Sequence, residues 1–193
     1  MGVMDPKPEQ PVVERCLVVE DDVELSNAIV AAIAERVQEC RAVPTLEDAT
    51  RELGGWHPTL VIMDIKLPDG TTVELLESAR ELKPWPTFVS MSGQADVEET
   101  FRLAQLGVRA FLAKPLDVAE LLETIDQVLS VPPEWTPVVK NMVGHSQLKD
   151  FEEEVRSTMI DEALDRTDGS RRGAAKLLSV TRQALQHMIR RKS

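Results

Sequence analysis

Several residues of this chain carry chemistry at recurring places. Glu20-Asp21-Asp22 follows the apolar run at 16–19, and Asp64 follows the run at 59–63. Ser92-Gly93 follows the run at 87–91, and Lys114-Pro115 follows the one at 109–112. Each set stands at the carboxyl end of a segment that reads as a strand. In open α/β sheets, ligands bind outside those ends. If the four ends converge, three or four carboxylates surround one point, with a hydroxyl and an ammonium facing them. Carboxylates that close repel one another and need a cation. Hard oxygen ligands select Mg2+, which also accepts a phosphate oxygen. A carboxylate beside Mg2+ can attack phosphorus as a nucleophile. Lys114 and Ser92 are then placed to bind the phosphoryl oxygens.

The elements that would position these residues alternate. The short apolar run at 16–19 suits a strand buried on both faces. Leu25, Ile29, Ala32 and Ile33 then follow helical spacing. A weaker strand is expected at 40–43, and a short helix at 45–53, stopped by Gly54-Gly55. Strands at 59–63, 87–91 and 109–112 alternate with helices at 72–82, 96–106 and 117–129. Five strand–helix units predict an α/β fold, a five-stranded parallel sheet with helices on both faces. Five are too few for an eight-fold barrel, so a doubly wound open sheet is expected.

Each residue also has a plainer explanation. Asp21 and Asp22 alone would cap the helix that starts near Val23, and Asp22 is expected to do so. Lys114 alone would be a solvated surface lysine. Ser92-Gly93 alone would be a turn, and Asp69-Gly70 is explained by turn chemistry before a helix. Met63 is expected in the core. Four features at successive strand ends of one fold are not independent accidents, and their coincidence favours the site.

LVVEDD, VIMDIKLPDG, FVSMSGQ and FLAKP, in this order, resemble the receiver domain of bacterial response regulators. The likeness covers about residues 14–130 and implies a flavodoxin-like fold. It implies that Asp64 accepts a phosphoryl group from a sensor histidine kinase. Glu20 and Asp21 would be the acidic pair for Mg2+, with Asp21, Asp64 and the backbone carbonyl of Lys66 as direct ligands. Ser92 would sense the phosphoryl group and Lys114 would bind it, with Lys114-Pro115 a cis peptide. Phe111 stands where the family has an aromatic switch, often Tyr. The chain has no Tyr, so that switch would lack a hydroxyl. A phosphohydrolase of the haloacid dehalogenase type expects a second Asp two residues after the nucleophile. Lys66 occupies that place, and the chain is not expected to be an enzyme.

Residues 131–143 hold three prolines and no periodicity, which suggests an extended linker. Beyond it the pattern is helical. Leu148, Phe151, Val155, Met159 and Ala163 recur at spacings of three and four, and Asp168-Gly169 breaks the run. Ser170 and Thr181 are positioned to cap two shorter helices, joined by the tight turn Leu178-Ser179-Val180. Val180, Ala184, Leu185, Met188 and Ile189 form one stripe of the last helix. Arg182, Gln183, Gln186, His187 and Arg190 lie opposite. Two short helices, a tight turn and an Arg/Gln face suit a helix-turn-helix. Arg pairs with guanine and Gln with adenine in the major groove.

Residues 148–192 resemble the Fis-type helix-turn-helix that ends NtrC-type regulators. The likeness implies that residues 144–193 bind double-stranded DNA as a homodimer. Arg171, Arg172, Thr181, Arg182, Gln183, Gln186, His187 and Arg190 are the candidate contacts. Ser179 replaces the usual turn glycine, so a left-handed backbone there would be costlier. Ala184 replaces a usual Thr. The apolar stripe from Leu148 is too long for two short helices to cover, and in this family that helix dimerises. No phosphate-binding GxxxxGK[ST] loop lies between the two parts. The organisation resembles the short, ATPase-less regulators of the RegA/PrrA/ActR type. The alternative is a phosphotransfer protein whose helical tail only dimerises.

Bulk features bound these readings. The 193 residues carry a net charge of −11, which read as an average argues against a nucleic-acid partner. Residues 1–139 carry −14 and residues 140–193 carry +3. From Gly169 onward there are 7 basic residues and no acidic one. No apolar run approaches the roughly 18 residues of a membrane span, and the polar start at 1–13, expected to be flexible, is unlike a signal peptide. A cytoplasmic protein is expected. Cys16 and Cys40 cannot alone make a disulfide framework or a zinc site. Two reduced, buried thiols are expected, with redox sensing as the other reading.

Overall fold

The structure is a computed structural model, and it describes residues 13–80, 82, 84–93, 97–132 and 136–192. The chain divides into two compact units with a boundary near residue 133.

In the first unit, β1 (Val13–Val19), β2 (Val37–Val43), β3 (Leu60–Asp64), β6 (Thr87–Ser92) and β7 (Val108–Ala113) form one sheet. Its order is β2-β1-β3-β6-β7, and every pairing is parallel. The helices between them are α1 (Val23–Ile33), α2 (Leu46–Trp56), α3 (Thr72–Ala79), α4 (Val97–Gln105) and α5 (Val118–Ser130). This is the flavodoxin-like doubly wound order expected from the alternation. A parallel strand covered on both faces must be apolar throughout. Accordingly Cys16, Leu17, Val18 and Val19 are all buried. One core layer joins Val18, Ile62, Val89 and Met91 to Ile29, Leu121 and Ile125 of α1 and α5.

Several local expectations shift. Val13 is not part of a loose terminus: it opens β1 and pairs with Val37. Gly54-Gly55 does not stop α2, which runs on to Trp56. A mid-helix glycine costs only about 1 kcal/mol, and burial of Leu53 and Trp56 outweighs it. The helix ends instead at His57, with φ 53°, followed by Pro58. The helix expected at 72–82 closes at Ala79. The start of the one expected from Asp96 lies outside the described residues. Between β3 and α3 a two-residue hairpin appears, β4 (Lys66–Leu67) against β5 (Gly70–Thr71).

In the second unit, the segment expected to be extended contains a helix, α6 (Thr136–Met142). Pro137 is its second residue, and a helix's first turn tolerates proline because its N–H groups have no intrahelical partner. Then follow α7 (Leu148–Asp165), α8 (Arg171–Leu177) and α9 (Arg182–Lys192). Their core is Ile160, Ala163, Ala174, Ala175 and Leu185, with Leu178, Val180, Met188 and Ile189 packed around it. The small Ala174 and Ala175 let α8 lie close to α7. Gly173 assists, since a Cβ there would meet Thr167 at 3.0 Å.

Candidate functional site

The sheet order brings the ends of β1, β3 and β7 together. Glu20, next after β1, is 3% exposed and its backbone N–H donates to the Val43 carbonyl at 3.0 Å. Lys114, next after β7, donates from Nζ to Glu20 Oε2 at 2.6 Å and to Asp64 Oδ2 at 2.6 Å. One ammonium thus bridges carboxylates from two strands. Glu20, Asp21 and Asp64 each offer an oxygen, and these lie within 4.8 Å of one another. Asp21 is exposed while Asp64 is half-buried. The cluster is therefore open on one side.

Burial pushes the Glu20 carboxyl above its ordinary range, and the bonds from Lys114 only partly offset this. Burial pulls Lys114 down, but its hydrogen bonds to Asp64 and Glu20 together outweigh that and hold it above the usual lysine range. The two directions agree. Burial is what lifts Glu20, while its two carboxylate partners hold Lys114 in its charged form.

Asp64 is fixed on both sides. Its Oδ1 accepts from the Lys66 backbone N–H at 3.1 Å, and its carbonyl accepts from Thr72 Oγ1 at 2.5 Å. Ser92 closes β6 beside this point: its carbonyl accepts from the Lys114 backbone N–H at 2.7 Å. The Lys114-Pro115 peptide is cis. Phe111 lies one strand out, in register with Ser90, and is 36% exposed. Asp22 does not join the cluster. Its Oδ1 accepts from the N–H groups of Glu24 and Leu25 at 2.9 and 3.0 Å, which makes it the cap of α1.

One residue has a wider role than turn chemistry allowed. The Asp69 carboxylate accepts from the Leu46 N–H at 2.9 Å and the Glu47 N–H at 3.1 Å. It caps α2, which starts 23 residues earlier, and so ties the hairpin after Asp64 to a neighbouring helix. These bonds hold its carboxyl below the ordinary range. Gly70 belongs to the same clamp, because a Cβ there would lie 2.5 Å from Leu46 Cδ1. Nothing in the local sequence signals a cap whose helix is so distant.

The donor set fits Mg2+. It consists of hard oxygens only, from carboxylates that repel unless neutralised, and one side is open to water and substrate. Glu20, Asp21 and Asp64 would hold the ion. Lys66 is exposed at the start of the hairpin, on the same loop as Asp64.

In the second unit Ser170 Oγ accepts from the Gly173 N–H at 3.2 Å and Thr181 Oγ1 from the Ala184 N–H at 3.1 Å. Ser179 has φ 53°, so the turn is left-handed without a glycine. Arg171 and Arg172 open α8 and are exposed. Arg182, Gln183, Gln186, His187 and Arg190 are exposed along α9, while Leu185 is buried.

The chain matches the response regulator receiver domain family over residues 16–126. It is similar to the photosynthetic apparatus regulatory protein RegA of Rhodovulum sulfidophilum, 22% identical over 92% of this chain and 91% of that protein. It is 27% identical to the DNA-binding transcriptional regulator NtrC of Proteus hauseri, over 58% of this chain and 24% of that one. The chain thus spans about a quarter of the length of the NtrC relatives it matches. Its structure is similar to that of a CheY-like receiver domain protein from Methanospirillum hungatei JF-1, with 28% identity and a TM-score of 0.57, covering 61% of this chain and 94% of that one. Among the described residues no helix is long and apolar enough to cross a membrane. The family match takes in more than half of the chain, and this protein belongs to the response regulator receiver domain family of two-component systems.

Proposed function

We propose that this protein is a phosphorylation-controlled, DNA-binding transcription regulator of the cytoplasm. Residues 14–130 would receive the signal, residues 131–143 connect, and residues 144–193 form a Fis-type helix-turn-helix. The observation that carries the first part is the Lys114 ammonium, 2.6 Å from both Glu20 and Asp64, beside the cluster that Asp21 completes. An Asp64 oxygen attacks the phosphorus of a kinase phosphohistidine. The new P–O bond forms as the P–N bond breaks, and the departing imidazole nitrogen takes a proton from solvent. Bound Mg2+ would neutralise the phosphoryl oxygens and the carboxylates together. Lys114 then exchanges a carboxylate partner for a phosphoryl oxygen, and Ser92 donates its hydroxyl to another. Phe111, exposed before phosphorylation, follows Ser92 and shifts the surface between two states.

The second part rests on the two capped helices, the left-handed turn at Ser179 and the exposed side chains of α9. Arg182, Gln183, Gln186, His187 and Arg190 would meet base edges, with Arg171, Arg172 and Thr181 near phosphates. Two-fold symmetric operators require two copies. An open groove of about 830 Å3, lined by Val139, Val143, Leu148, Phe151, Val155 and Met159 among others, supports a homodimer through α6 and α7. The same groove favours the second reading, a phosphotransfer protein whose tail only dimerises. Incubating the protein with acetyl phosphate and Mg2+ tests the first part. The account expects one phosphoryl group on Asp64 and none in Asp64→Asn. Equal labelling of that variant would refute the site.

A further inference from the structure

Cys16 and Cys40 are the only two cysteines of the chain, and they are direct partners in the β1–β2 register. Neighbouring parallel strands run about 4.8 Å apart. That falls within the Cα separations of disulfides, about 4.4–6.8 Å. Both side chains lie on the same face of the sheet, against the layer that includes Ile29 and Ile33. Cys16 is fully buried and Cys40 is half-buried, on the strand at the edge of the sheet. An oxidant therefore reaches Cys40 first. We propose that Cys16 and Cys40 form a thiol oxidation site, in which hydrogen peroxide converts the pair to a reversible β1–β2 disulfide. The site does not depend on phosphorylation or on DNA.

The chemistry divides between the two sulfurs. A hydrogen bond from Cys16 holds the Cys40 thiol below its ordinary range, against a smaller opposing effect of burial. The same bond, with burial, pushes Cys16 well above it. Cys40, half-buried on the edge strand, is the sulfur that attacks, and the fully buried Cys16 is the one that resolves. The Cys40 sulfur takes one peroxide oxygen as the O–O bond breaks, leaving a sulfenic acid and water. The Cys16 sulfur then attacks the sulfenic sulfur. The S–S bond forms, the S–O bond breaks, and the departing hydroxide takes the Cys16 proton to give a second water. Two electrons pass from the sulfurs to the peroxide. Cβ atoms of a disulfide sit about 3.5–4.5 Å apart, closer than the strand spacing, so the bond must draw the edge strand inward. A disulfide strained in this way is more easily reduced.

The test uses the full chain treated with hydrogen peroxide, then analysed by mass spectrometry and non-reducing electrophoresis. The expected result is loss of both free thiols, a mass lower by two hydrogens, one linked peptide carrying Cys16 and Cys40, and a monomeric band, all restored by dithiothreitol. Cys40→Ser should keep Cys16 as a thiol under the same treatment. Cys16→Ala should leave Cys40 as a sulfenic acid that dimedone traps. Two intact thiols in the wild type, or a disulfide that joins two chains, would overturn the proposal. If Cys16→Ala does not fold, the linked peptide of the wild type still decides.

Discussion

The two units hold their working residues in opposite ways. In the first, the candidate site is internally matched: Lys114 bridges Glu20 and Asp64, and Asp64 is also bonded to Lys66 and Thr72. In the second, a small core buries Leu185 completely, yet Leu148 stays 72% and Met159 56% exposed. Arg171, Arg172, Lys176, Arg182 and Arg190 of α8 and α9 are exposed. A site whose side chains position one another can be built by one chain and waits only for a small ligand. The second unit instead leaves apolar side chains and arginines exposed among its described residues. Charge divides the chain in the same place, net −14 over residues 1–139 and net +3 over residues 140–193.

The sharpest way to break this contrast is Asp64→Asn, which should abolish Mg2+-dependent labelling by acetyl phosphate while duplex binding at high protein concentration persists. Loss of both at once would mean that the units do not act separately. Next comes Leu185→Ala. Removing a fully buried leucine costs about 2–5 kcal/mol, so the second unit should melt first in calorimetry. Labelling of Asp64 should survive, and its loss would contradict independent units. Arg182→Ala should lose sequence discrimination by about 1–3 kcal/mol if the side chain reads a base. Unchanged discrimination in competition binding would place it on phosphate or in solvent.

Two smaller effects sharpen the comparison. Ser179→Gly relieves a left-handed backbone, which costs an ordinary residue about 1–2 kcal/mol, partly cancelled by the freer unfolded chain. A small rise in the melting temperature of the second unit is expected, and a fall would show that the Ser179 side chain contributes. Asp69→Ala removes the clamp on α2. The Asp69 carboxyl is held low in the folded state by the Leu46 and Glu47 N–H groups. It therefore contributes stability above the ordinary aspartate value, about pH 4, and loses it as pH falls through the depressed value. The variant should melt slightly lower at neutral pH, with the difference closing in acid. A gap that persists below that range would show that the charge is not what holds the hairpin.

Much of this was legible because chemistry and periodicity coincided. The runs at 16–19 and 60–63 are apolar throughout because both faces are covered, and each stops at a carboxylate. Ser170, Thr181 and Asp22 cap their own helices, so the signal is local. What was hidden depends on distant partners. Asp69 caps a helix 23 residues away, and no local pattern encodes that. Gly54-Gly55 looked like a stop because propensity is local, while the burial of Trp56 is tertiary. The prolines of 131–143 suggested extended chain, but one of them stands in a first helical turn. The stripe of α7 is legible as spacing, although only the structure shows that Ala163 is buried while Leu148 and Met159 stay exposed.

The central claim is that the matched site controls the unmatched one. Its most direct test is the affinity of the full chain for selected duplex DNA, with and without acetyl phosphate, across a salt series. The account predicts tighter binding after phosphorylation, an affinity that falls steeply with salt, and no phosphate effect in Asp64→Asn. Binding that is absent, independent of salt, or equal in both phosphorylation states would contradict it.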